Sequence, residues 1–179
     1  MRAKRGRLVV VAAAVMLYAG LASAADAPRV AQADARRRVV VSIPDRKLAL
    51  IENDAIVSVF RVAVGAPGSP TPAGTFIIVN RIPNPTYYKP GKIVGPGAAN
   101  PLGTRWIGLN EKGYGIHGTD QPRSIGLARS HGCIRLRNRD VEQLFDLVRS
   151  GDIVEFHAER TDEITQLFGA KDEQRRITE

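Results

Sequence analysis

From residue 38 onward the apolar positions fall in short runs broken by turn-forming residues, the pattern of strands rather than of long helices. Two runs rich in Val, Ile and Leu, at 38–43 and 47–52, flank Pro44-Asp45-Arg46, where proline sets the first corner of a turn. A second pair follows. Residues 56–64 alternate apolar with small or polar side chains, break at Gly65-Ala66-Pro67-Gly68-Ser69-Pro70-Thr71-Pro72, and resume at 75–80. Strand-like runs return at 105–110, 114–117 and 152–156. Helical spacing is strong once, over 138–150: Val141, Leu144, Phe145 and Val148 fall at i, i+3, i+4 and i+7, Asn138 is placed to cap, and Gly151 ends the run. The pattern predicts a mainly β fold, one amphipathic helix on a mostly antiparallel sheet.

The segments between and outside these runs complete the organisation. Residues 81–105 hold five Pro, four Gly and the pair Tyr87-Tyr88, the composition of a long surface loop. Loops of that length in a compact domain are commonly functional, so a flap over a site is one reading and a permissive insertion the other. Residues 158–179 read as a polar tail with weak helical character near 164–168 and no assigned function.

At the other end, Arg2, Lys4, Arg5 and Arg7 precede an apolar stretch, 8–21, and then Ala22-Ser23-Ala24. This is the three-part pattern of a secretory signal peptide over residues 1–24, cleaved after Ala24. The stretch is shorter than the roughly 20 residues of a membrane-spanning helix. The expectation is therefore an exported protein of the periplasm or cell envelope, with no membrane span after leader removal. A flexible linker, 25–37, leads into a domain at 38–157. Of 26 basic and 18 acidic residues, four basic ones lie in the leader, so the remainder carries 22 against 18, or +4. That mild surplus suits an anionic envelope surface but is also ordinary, and the export signal argues against nucleic acid.

Export makes Cys133 conspicuous, because it is the only cysteine of the chain and can form no internal disulfide. A lone cysteine is more often an inert small hydrophobe. Its neighbours favour chemistry: His117-Gly118-Thr119, Ser124-Ile125-Gly126 and Ser130-His131-Gly132-Cys133-Ile134-Arg135. Acyl transfer through sulfur needs a thiolate, a base to form it and donors for the oxyanion. Two histidines can supply base and helper, Gly132 permits a tight turn that aims backbone amides, and Arg129, Arg135 and Arg137 add potential favouring the thiolate. His117, His131 and Cys133 could also hold zinc, but no fourth ligand is evident, so neither metal nor cofactor is expected.

Together with Thr71-Pro72-Ala73-Gly74-Thr75-Phe76 and Asp140-Val141, these motifs resemble the catalytic domain of the L,D-transpeptidases, the YkuD-like family. The resemblance implies an antiparallel or mixed, sandwich-like sheet and a reaction on peptidoglycan stem peptides. Cys133 attacks the bond after the third residue of a tetrapeptide stem, D-alanine leaves, and an amine resolves the thioester. The amine belongs to a second stem, giving a 3→3 cross-link, or to an envelope lipoprotein. His117 is then the general base and His131 orients or polarises the pair. The amides of His131, Gly132 and Cys133 serve as oxyanion donors, and Gly118 and Ser130 support the site. Arg135, where many members carry Asn, positions the loop or a substrate carboxylate. Tyr87, Tyr88, Trp106 and Ser124 are candidate substrate contacts. A hydrolase passing the acyl group to water, and an inactive wall-binding domain, are the alternatives.

Overall fold

A computed structural model of the chain describes residues 37–177, with side chains for 37–169. The expected leader and nearly all of the linker lie outside these residues. The elements in chain order are β1 (Arg37–Ser42), β2 (Lys47–Glu52), β3 (Ala55–Arg61), β4 (Val64–Gly65), β5 (Gly74–Pro83), β6 (Tyr87–Lys89), β7 (Lys92–Val94), β8 (Arg105–Leu109), β9 (Gly115–His117), β10 (Ala128–Ser130), β11 (Ile134–Arg135), α1 (Asn138–Leu147), β12 (Ile153–His157) and α2 (Asp162–Ile177).

Eight strands form one sheet in the order β11-β9-β8-β5-β12-β1-β2-β3. It is mixed: β1 runs parallel to β12 and β11 parallel to β9, and the other neighbours are antiparallel. Alternate residues of β1 and β2 serve different cores. Val39, Val41, Leu48 and Leu50 join the main cluster with Ile107, Ile116, Ile134, Val141 and Leu144, while Val40, Ala49 and Ile51 point the other way, against Ile164 and Phe168. Strands covered on both faces are continuously apolar, which is why β1 and β2 show no alternation.

Three expectations change. The tail contains α2, which buries Ile164 and Phe168 on the sheet and is tied to it by Arg38–Glu163 at 2.6 Å. The helix read at 138–150 stops at Leu147, and Arg137 rather than Asn138 holds its N-cap position. The 81–105 loop is partly built: β5 extends to Pro83, and β6 and β7 pair as a hairpin. Buried Asn100 holds the hairpin's base, its side-chain amide donating to the carbonyls of Pro85, Val94 and Gly95 while its Oδ1 accepts from Leu102 N–H.

Candidate active site

The chemistry gathers where β8, β9 and β11 end the sheet. Side chains alternate across a strand, so the register assigns each residue a face. Ile107, Ile116 and Ile134 lie in register and point into the core with no exposure. Trp106 pairs with His117 and His117 with Arg135, which turns Trp106, His117 and Arg135 to the opposite face. Cys133 immediately precedes β11, its thiol within hydrogen-bond reach of the Gly115 N–H, two residues before His117 on β9.

Glycine opens this face. The Trp106 ring stacks on His117 with centroids 5.7 Å apart and extends over Gly108 and Gly115. A Cβ on Gly115 would stand 2.7 Å from that ring, so a side chain there is excluded. His117 is thereby 5 % exposed. Its Nδ1–H donates to the Gly118 carbonyl at 2.6 Å, which leaves Nε2 with a lone pair. Burial lowers its pKa to about 4, with Arg135 acting in the same direction, so the imidazole is neutral near pH 7.

Cys133 is half-buried, its thiol near the Gly113 carbonyl at 3.4 Å. Burial pushes its pKa up, opposed by the Gly115 N–H and the charge of Arg135. Of the three arginines expected to favour the thiolate, Arg135 acts in that direction, and desolvation outweighs its charge. Near pH 7 the thiol and the imidazole are both in their neutral forms.

Two hydroxyls shape the turn before Cys133. Ser130 Oγ accepts from Gly132 N–H at 3.0 Å and donates to the Cys133 carbonyl at 2.5 Å. Thr71 Oγ1 accepts from Gly65 N–H and donates to the Gly132 carbonyl, both at 2.8 Å. Gly132 has φ +109°, and a Cβ there would stand 2.7 Å from the Tyr114 ring. The Gly132 amide is therefore consumed by Ser130 and is not a free oxyanion donor. The amides of His131 and Cys133 have no partner among the described residues.

The other residues read from the sequence scatter more widely. The His131 side chain is exposed and makes no hydrogen bond or ring contact among the described residues, so nothing there orients the Cys133–His117 pair through it. Ser124 is buried and spends its hydroxyl on the Gln121 carbonyl at 2.7 Å. Tyr88, 73 % exposed, and the half-buried Tyr87 stand on the hairpin, outside the main sheet. Asn138 acts across the chain instead of capping: its Oδ1 accepts from Thr119 N–H at 3.0 Å and occupies space that a Cβ on Gly103 or Gly118 would need. Sequence reading did not single out Gly115, Tyr114 or this role of Asn138. Thr71 and its motif carried the family signal without revealing its hydrogen bonds. Among the described residues no three His, Cys, Asp or Glu side chains gather as a metal set.

A β-sheet whose end presents a cysteine and a buried histidine beside one glycine-cleared strand defines the class of protein. Residues 36–156 match the family model described as the L,D-transpeptidase catalytic domain, YkuD, and the chain belongs to that family. It is 44 % identical over 114 residues to a Bacillus licheniformis protein that carries the name L,D-transpeptidase YkuD, a match covering 64 % of this chain and 61 % of that relative. The chain thus spans less than two thirds of that relative. Among solved structures, an L,D-transpeptidase from Mycobacterium smegmatis shares the fold with TM-score 0.59 at 23 % identity, over 69 % of this chain and 59 % of that one. The Ldtfm-avibactam carbamoyl enzyme matches with TM-score 0.59 at 25 % identity, over 70 % of this chain and 50 % of that one.

Proposed function

We propose that this protein is a peptidoglycan L,D-transpeptidase working through a thioester on Cys133. The observation that carries this reading is that the Cys133 thiol meets the backbone of Gly115 on the strand that carries His117, with the charge of Arg135 felt by both, and with the His117 Nδ1 proton committed to Gly118 so that Nε2 can accept one. With imidazole held low and thiol held high, the proton stays on sulfur until substrate arrives. It passes to Nε2 as Sγ attacks the carbonyl carbon joining the third stem residue to D-alanine. The oxyanion faces the His131 and Cys133 amides. The C–N bond breaks, and the departing nitrogen takes the proton from Nε2. In the second half an amine gives its proton to Nε2 and attacks the thioester; the C–S bond breaks and sulfur recovers the proton. The amine belongs to a neighbouring stem or to an envelope lipoprotein, and the reaction takes place outside the cytoplasm, as the leader-like N-terminus supports.

Incubating the protein with purified tetrapeptide muropeptides and reading products by mass tests the reading. Dimers with loss of D-alanine support it. Tripeptides without dimers make the protein an L,D-carboxypeptidase on the same fold, and unchanged substrate sinks both. Because a relative forms a carbamoyl enzyme with avibactam, a mass adduct on Cys133 is expected here with the same compound.

A further inference from the structure

The β6–β7 hairpin carries the two most exposed large apolar side chains of the described residues, Tyr88 at 73 % and Ile93 at 72 %. They are cross-strand partners and so stand on one face, while the half-buried Tyr87 and Val94 pair on the other. Nearer the tip, Lys89 pairs with Lys92 across the turn at Pro90-Gly91, where Gly91 takes φ +75°. Like charges directly opposite each other repel, and neither lysine has an ion pair among the described residues. The surrounding sequence sharpens the imbalance: from residue 55 to residue 110 there are five basic side chains and no acidic one.

The hairpin forms in spite of these costs. It is a sheet of its own, and at its base the Asn100 amide is fixed to the carbonyls of Pro85, Val94 and Gly95. Tyr88 and Ile93, with the residues between them, line one open concavity. A tip that leaves apolar surface in water and sets like charges face to face is relieved of both costs by a partner that is at once apolar and anionic. We propose that this hairpin tip docks on an anionic phospholipid surface, with Tyr88 and Ile93 entering the boundary between headgroups and acyl chains and Lys89 and Lys92 meeting the lipid phosphates. A tyrosine suits that boundary because its ring is apolar and its hydroxyl polar. The lysine stems are long enough to keep each ammonium at phosphate level while the neighbouring side chains go deeper. Ile93 favours lipid over an anionic wall polymer: a polyanion neutralises the lysines and a sugar stacks on the tyrosine, but neither takes the aliphatic side chain out of water. The contact is reversible, as one made by four side chains must be. The proposal is independent of the acyl-transfer reading.

The test mixes the full chain with vesicles of equimolar phosphatidylglycerol and phosphatidylcholine, or of phosphatidylcholine alone, and reads acetylation of Lys89 and Lys92 on the sedimented protein by mass. Exposed Lys112, outside the hairpin, is the internal reference. Relative to Lys112, labelling of the two lysines should fall at least about threefold on the anionic vesicles and stay unchanged on the neutral ones. The protection should be lost in Tyr88→Ser with Ile93→Ser. Because the apolar stretch 8–21 is common to all variants, differences in partitioning between them report the hairpin. Lys89→Gln with Lys92→Gln should weaken partitioning to anionic vesicles about 30-fold, and the Tyr88 and Ile93 pair of substitutions about tenfold. Hairpin lysines labelled as freely as Lys112 on vesicle-bound wild type overturn the proposal, whatever else holds the chain to the vesicle. Equal protection on both lipids overturns the anionic requirement. Sedimentation with purified peptidoglycan sacculi, lost in these variants while the vesicles give no protection, assigns the tip to wall polymer and overturns the lipid proposal.

Discussion

Cys133 and His117 are both held in their uncharged forms by burial, and that state has measurable consequences. Cys133→Ser should reduce turnover by at least about a thousandfold, because a hydroxyl is a far weaker nucleophile in a site with so weak a base. Product formation per hour on muropeptide checks this. For His117 the folded pKa of about 4 lies below the ordinary 6.5, so between these values the unfolded chain binds the proton and the native one does not. The stability this supplies is full above pH 6.5 and is lost as pH falls through 4, about 3 kcal/mol in all. Urea midpoints from pH 7.5 to 4 should show the decline in wild type and lose it in His117→Gln; identical slopes would refute the assignment. Gly132→Ala should cost activity through the strained φ of +109° and the Tyr114 ring, and a variant of normal rate would mean that the turn relaxes without moving the amides. The His-Gly-Thr and Ser-His-Gly-Cys motifs were legible because chemistry requires particular residue types. The direction of the thiol's shift was not, since the count of nearby arginines carries no information about desolvation.

Among the elements, α2 departs furthest from sequence expectation. Its apolar residues in the described part are few, and isolated propensity is weak for so polar a segment. It forms because Val40, Ala49 and Ile51 offer an apolar face that Ile164 and Phe168 cover. Phe168→Ala should therefore lower stability by about 3–4 kcal/mol, seen as a shifted urea midpoint with unchanged m, while kcat below the transition stays as in wild type. A midpoint within experimental error of wild type would show that the helix end contributes little. The hairpin of β6 and β7 is the counterpart case. Its Pro- and Gly-rich composition reads as loop, and pairing was hidden because strands of three residues leave too short a run to recognise. Replacing Tyr87 and Tyr88 together by Ala should raise KM for muropeptide if this hairpin is a substrate wall; unchanged kinetics would remove that role.

At the scale of the whole molecule, the described residues fall within one compact unit, Asp34–Glu179, and carry both apolar clusters. A chain beginning at Asp34 should thus unfold in a single cooperative transition by heat or urea, and two separated transitions would contradict a shared sheet. Local signals determined much of this protein: the strand runs, the 138–147 helix and the family's Ser-His-Gly-Cys motif all follow from residue type and short-range spacing. Long-range packing decided the rest. Parallel pairing of β1 with β12 joins residues more than a hundred positions apart, and nothing in either strand's own sequence names its partner. The same holds at the site, where the register of β9 with β11 brings Arg135 beside His117 just after Cys133, and Gly115 matters only because Trp106 arrives above it. Periodicity reports which side of a strand is buried; what lies against that side is settled only when the chain has closed on itself.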